Sequence, residues 1–282
     1  MTTAPHSHSQ PDPAQDHLLA KGLCRPLHLY YFADTHLQQV ADNDPLLSDA
    51  WKENPVPNLP CSNSTLLASH LDRAVTGGAD IILCGGDLFH FPSAENVELA
   101  LRLFGACPRP VWCVPGNHDW FYPGQDGWED LRASMLPRLE KIYRGQASYW
   151  SRSVQGLRVI ALDNSTYFLD TEQVSFLERE LAEDVPTVVM MHIPLSTPAL
   201  RDATVAKHGQ AILMADAAGR TRAGIDPGPT RHAAGLLRDS AQVLAVLSAH
   251  VHFPFQEDIT PGKPQLIPEA GYRHGYRWIV VE

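Results

Sequence analysis

Short apolar runs recur along the chain at 27–33, 81–84, 111–114, 187–191 and 243–247. Each is rich in β-branched or aromatic side chains, and each stops abruptly on polar residues. Runs of this length and composition predict buried strands. Two more segments, 147–154 and 157–163, predict paired strands joined by a Gln155-Gly156 turn. Helical spacing predicts helices over 65–76, 94–105, 128–140 and 171–182, with a cap near Ser62 or Ser64 for the first and Thr171 as cap of the last. Strands alternating with helices in this way predict an α/β fold.

Between these elements the pattern lapses. Residues 37–61 combine prolines with Asp and Asn and predict an irregular loop directly after the first strand, placed to overhang whatever that strand presents. Residues 200–238 are rich in Ala, Gly, Arg and Thr, and Ile225-Asp226-Pro227-Gly228-Pro229 interrupts any regular element. That segment is read as an insertion, open between a cap, an oligomer contact and a surface excursion. Residues 1–22 are polar, carry no apolar core of a leader, and predict a disordered tail, so that 23–282 form a single domain with insertions at 37–61 and 200–238.

Composition narrows the function. The chain has 282 residues, of which 44% are hydrophobic, enough for a full core. A formal charge of −10 argues against docking on a nucleic-acid backbone, which calls for a basic stripe. Five cysteines without a C-x-x-C pair point to reduced, structural thiols. No run approaches the roughly 20 apolar residues of a membrane span, so no membrane partner and a cytoplasmic location are expected.

The polar residues that end the runs carry the chemistry: Asp34-Thr35-His36, Gly85-Gly86-Asp87, Gly116-Asn117-His118-Asp119, His192, and His250-Val251-His252. Open α/β sheets collect ligand sites at the C-terminal ends of their strands, so these clusters are expected to converge. In an extended segment, residues two apart face the same side, which would pair Asp34 with His36 and His250 with His252. Carboxylates mixed with imidazoles suit Mn, Fe or Zn and suit calcium poorly. Two glycines before Asp87 allow a tight turn there.

In order and placement these motifs, D-x-H, G-G-D, G-N-H-D, a lone His and H-x-H, resemble the calcineurin-like metallophosphoesterase superfamily over roughly residues 27 to 282. The resemblance implies a four-layer α/β/β/α sandwich with two mixed sheets flanked by helices. It implies that Asp34, His36, Asp87 and His252 hold one metal ion, and that Asp87, Asn117, His192 and His250 hold a second. It also implies that His118 sits near the leaving-group oxygen and that Asp119 orients or tunes it. Ala249 stands where the family usually has glycine, a departure small enough to leave ligation intact.

Two ions about 3.5–4 Å apart acidify a water between them and neutralise phosphoryl oxygens during in-line attack. The expected function is therefore hydrolysis of a small phosphoester, a phosphodiester ahead of a monoester, with His118 as general acid. The stretch Gly85 to His90 is similar to the double-strand-break nuclease branch, which keeps a manganese-dependent nuclease as an alternative and leaves His90 open between substrate contact and a supporting role. A catalytically silent metal-binding scaffold is the alternative from another class.

Overall fold

The computed structural model describes residues 15–39, 64–122, 128–214 and 225–282. Most of the loop expected over 37–61, and the cap expected at Ser62, lie outside them.

Eleven strands form two mixed sheets among the described residues. The first sheet takes β1 (Asp16–Leu18), β2 (Leu27–Phe32), β3 (Ile81–Cys84), β4 (Val111–Cys113) and β11 (Arg277–Val281), in the order β1-β11-β2-β3-β4. The second takes β5 (Tyr149–Val154), β6 (Leu157–Leu162), β7 (Thr187–Met190), β8 (Val243–Leu247), β9 (Phe255–Thr260) and β10 (Lys263–Ile267), in the order β5-β6-β7-β8-β10-β9. Within the first sheet β2, β3 and β4 run parallel, and within the second β6, β7, β8 and β10 do.

The alternation of a strand sorts its side chains between two cores. From β2, Leu29 and Tyr31 enter the core between the sheets, where they join Leu83, Val159, Val188, Ala245 and Leu266. Tyr30 and Phe32 point the other way, into a core built with helices α1 (Ser64–Thr76) and α2 (Ala94–Ala106). The outer face of the second sheet buries Ile160, Val189 and Val246 against α5 (Thr171–Leu181) and α7 (Gly228–Asp239). The result is the expected α/β/β/α order of layers. Burial on both faces explains the unbroken apolar runs, each fully buried Val, Leu or Ile contributing about 1.5–3 kcal/mol.

Several expectations need correction. The helix over 128–140 divides: α3 (Trp128–Met135) passes into a 3-10 turn at Leu136–Leu139 and then α4 (Glu140–Tyr143), because Pro137 has no N–H to continue the ladder. Asp170, and not Thr171, caps α5; its side chain accepts from Gln173 N while Gln173 reaches back to the Asp170 N–H. The tail does not extend to residue 22, since Asp16–Leu18 pairs in parallel with β11. Nor is 200–238 an excursion throughout. Pro198 and Pro229 sit in the first turns of α6 (Pro198–His208) and α7, where a missing N–H costs nothing, and α7 is a core-layer helix.

One buried histidine lies on the helix side of the first sheet. His70, on α1, places Nε2 3.0 Å from the Gly271 carbonyl and Nδ1 2.9 Å from the Tyr30 hydroxyl, with its ring stacked on Phe32. Burial pushes it down to about 4.

Candidate metal centre

Parallel β2, β3 and β4 of one sheet and β7 and β8 of the other end at a common edge, and every polar cluster singled out in the sequence follows one of those ends. The loops after β2 and β3 run side by side: Asp34 N donates to Gly86 O at 3.0 Å, and His36 N to Asp87 O at 2.9 Å. Gly86 lies so close to the loop after β4 that a Cβ there would meet Gly116 N at 2.7 Å and His192 Nδ1 at 2.8 Å. A Cβ on Gly116 would meet Asp87 Oδ1 at 2.2 Å. Those glycines are what allow three loops to share one small volume.

The ligand pairing expected from an extended backbone is reached by another route. Asp34, His36, Asp87, His250 and His252 all have left-handed backbones, with φ of 54, 47, 48, 71 and 54°. Non-glycine residues rarely adopt that conformation, and it concentrates at functional sites. These left-handed residues turn Asp34 with His36, and His250 with His252, into the crevice, while Thr35 between the first pair bonds the Leu88 carbonyl and Val251 between the second packs with Leu200 and Ile267.

Three groups of ligand atoms result among the described residues, each with its atoms within 4.8 Å of one another: one of His36, His90 and His118, and two that match the expected ligands, Asp34, His36, Asp87 and His252, and then Asp87, His192 and His250. Asp87 belongs to both of the latter. The donor set fits two cations. His36 Nε2 and His252 Nε2 face each other at 3.1 Å, and Asp87 Oδ2 lies 3.6 Å from His36 Nε2 and 3.3 Å from His192 Nε2. Asn117 Oδ1 and His192 Nε2 are buried without a hydrogen-bond partner among the described residues. Buried polar atoms are ordinarily paired, so two orphans beside a shared carboxylate mark a place for a cation.

The electrostatics agree with that reading. Burial, reinforced by neighbouring histidines, holds His36 and His250 well below the usual imidazole range, which keeps them neutral as metal ligands must be. For Asp87, burial opposes the charge, but His192, His118 and His36 outweigh it and hold the carboxyl well below its usual range. For His192, burial opposes the charge, but Asp87 outweighs it and pushes the imidazole up to about 9; Nδ1 donates to the Gly85 carbonyl at 2.8 Å, so a cation would have to displace the proton on Nε2.

His118 lies beside this group. Its backbone N–H donates to Asp87 Oδ1 at 2.8 Å, and its Nδ1 lies 3.2 Å from the His90 carbonyl. The carbonyl fixes Nδ1 as a donor. His90 itself enters the site: its Nδ1 is 3.3 Å from His36 Nδ1, and its ring stacks on His118 with centroids 4.7 Å apart.

The hydrogen bonds of Asp119 go to backbone and not to the His118 ring that the resemblance implies it orients or tunes. Its carboxylate accepts from Phe89 N at 2.9 Å and Gly116 N at 2.8 Å, tying the loops after β3 and β4, while the His90 carbonyl orients the His118 ring. Burial and the charge of Asp87 push Asp119 up to about 7. Ala249, in the usual glycine position, is fully buried, with its N–H on the His192 carbonyl at 2.8 Å.

Residues outside the five polar clusters stand behind the ligands. Asn164 clamps the peptide of Ile193, next to His192, through Oδ1 and Nδ2 at 2.9 and 2.6 Å. The Tyr167 hydroxyl lies 2.9 Å from His250 Nε2, and that of Tyr272 3.2 Å from His252 Nδ1. No local pattern marks these residues, because their partners are distant in sequence.

Comparison with known proteins points the same way. A protein from Fibrobacter succinogenes, named as a probable cyclic nucleotide phosphodiesterase, is 23% identical over 116 residues, covering 41% of this chain and 42% of that one. The chain thus aligns with less than half the length of that curated relative. A dimetal phosphatase from Danio rerio shares the fold with a TM-score of 0.59 at 13% identity, over 89% of this chain and 91% of that chain. A purple acid phosphatase from yellow lupin (Lupinus luteus) seeds gives 0.53 at 14% identity, over 87% of this chain and 44% of that one. The calcineurin-like phosphoesterase family model matches residues 27–254, and the chain belongs to that family.

Proposed function

We propose that this protein is a two-metal phosphoester hydrolase that prefers a compact phosphodiester. The observation that carries the reading is the pair of ligand groups sharing Asp87 at the joint edge of the two sheets. Asp34, His36, Asp87 and His252 would hold one ion, and Asp87, Asn117, His192 and His250 the other. When bound, the ions polarise the phosphoryl oxygens and acidify a water for in-line attack. Mn, Fe and Zn all suit these donors.

The chain's own residues do the rest. The Gly86 and Gly116 backbones bring the loops together and leave room for no side chain between them. Asp87 fixes the backbone of His118 while facing His36 and His192. His118, its Nδ1 held on the His90 carbonyl, delivers a proton from Nε2 to the departing alkoxide. That step counts most where the leaving group is poor, as in an unactivated diester.

The relationship to a probable cyclic nucleotide phosphodiesterase makes cyclic nucleotides the first natural diesters to try. A nuclease is the second reading, favoured by His90 lying against both His36 and His118. The net charge of −10 weighs against it. Protein stripped with chelator and reloaded with manganese is expected to hydrolyse an activated phosphodiester faster than the matching monoester. Silence on both, with two metals bound, would overturn the proposal, and salt-sensitive cleavage of DNA would move it to the nuclease.

A further inference from the structure

A histidine binds a cation through one ring nitrogen, and the group on the other nitrogen decides which nitrogen that is. The four candidate ligand histidines have different groups behind them. His192 has a backbone carbonyl, and His36 has the imidazole of His90. His250 and His252 each have a tyrosine, Tyr167 at 2.9 Å from Nε2 and Tyr272 at 3.2 Å from Nδ1.

The two tyrosines come from unrelated parts of the chain, and both are held rigidly. Tyr167 closes a turn after β6, with its N–H on Asn164 O at 2.7 Å and a left-handed backbone of φ 74°. Outside the ligand set it is one of few non-glycine residues in that conformation, and the strained backbone is what carries its ring to His250. Tyr272 lies in the 3-10 turn Gly271–Arg273, which is bolted to the loop after β2: Gly271 N donates to Ala33 O at 2.7 Å and Tyr272 N to Asp34 O at 3.0 Å. Both rings are more than nine-tenths buried, so neither is free to sweep the crevice.

We infer that Tyr167 and Tyr272 are positioning residues that each serve one metal site, Tyr167 through His250 and Tyr272 through His252. Tyr167 accepts the Nε2 proton of His250 and leaves Nδ1 for a cation. Tyr272 accepts the Nδ1 proton of His252 and leaves Nε2, the nitrogen that already lies 3.1 Å from His36 Nε2 and 3.6 Å from Asp34 Oδ1. A phenol is a neutral acceptor, so these histidines are oriented without adding a negative charge behind the metals. This inference rests on the proposed ligand assignment.

The test is titration of chelator-stripped protein with Mn2+, followed by the electron paramagnetic resonance signal of the free ion. Wild type is expected to take up two ions. Tyr167→Phe, which keeps the ring and removes only the acceptor, should weaken one step by about 10–100-fold, and Tyr272→Phe the other. Ligand variants assign the steps. With His192→Ala as background, only Tyr272→Phe should weaken the remaining step; with Asp34→Ala, only Tyr167→Phe should. Tyr149→Phe, whose hydroxyl bonds Glu172 away from the crevice, serves as control. Unchanged affinity in both tyrosine variants, or equal weakening of both steps by each, would overturn the inference while the ligand assignment survived. Wild type that takes up no ion would overturn the assignment and the inference together.

Discussion

His70 and the cluster around Asp87 are both buried, histidine-bearing and close to the C-terminal turn, yet they differ in how their polar atoms are satisfied. At His70 both ring nitrogens meet a protein partner, a carbonyl on one side and a hydroxyl on the other. Around Asp87, two imidazole nitrogens face each other, and His192 Nε2 and Asn117 Oδ1 lack a hydrogen-bond partner among the described residues. The first arrangement is complete as it stands. The second is complete only with cations, and that contrast separates a structural histidine from a ligand better than burial does.

The largest effect should come from Asp87→Asn, which removes the carboxylate common to both ligand groups. Metal uptake, read by elemental analysis, and hydrolysis should fall together, the rate by about 10³-fold or more. An Asp87→Asn protein that kept both metals and its rate would erase the contrast. Next is His118→Ala, which should keep both metals and slow turnover by about 10²–10³-fold, with the larger loss on substrates with poor leaving groups. Loss of metal in that variant would move His118 into the ligand set.

His70 should act through stability alone. Its folded pKa is lowered to about 4 from 6.5, so between those values the unfolded chain binds a proton that the folded chain refuses. Stability is therefore lost as pH falls through 6.5 and stops falling near pH 4, a total of about 3 kcal/mol. His70→Leu should remove that part of the acid sensitivity, visible as the difference between two denaturation series against pH. At neutral pH it should cost about 1–3 kcal/mol, because the Gly271 carbonyl loses its donor. Turnover of the folded variant should be unchanged.

The smallest effect concerns metal and fold together. A cation at 100 times its dissociation constant adds about 2.7 kcal/mol to stability. Chelator should therefore lower the melting temperature of wild type and of His70→Leu equally, and leave that of Asp87→Asn where it was. A drop confined to wild type would mean that the two histidine regions are coupled.

Much of this was legible in the sequence, for reasons that can be named. The strands that carry the ligands are buried on both faces, so they read as uninterrupted apolar runs, and the change to polar residues marks each strand's end. β9 was missed because Phe255–Thr260 is half exposed and polar in alternation, and β10 because Pro264 sits within it. β1 is three residues in a polar segment, and only its pairing with β11 makes it a strand. The left-handed backbones at His36 and His252 had no glycine to announce them. Tyr167 and Tyr272 carry no signature because a residue 83 or 20 positions away gives each its meaning.

The left-handed backbone at five proposed ligands also bears on how this protein tolerates change. Each such residue costs the fold about 1 kcal/mol that glycine would not. Drift toward a sturdier molecule therefore runs through the crevice: glycine at His36 or His252 relaxes the chain and deletes a donor in the same substitution. Selection for thermal endurance alone would favour a protein of the same shape whose crevice had emptied, so activity and robustness have to be screened together in any attempt to stabilise it.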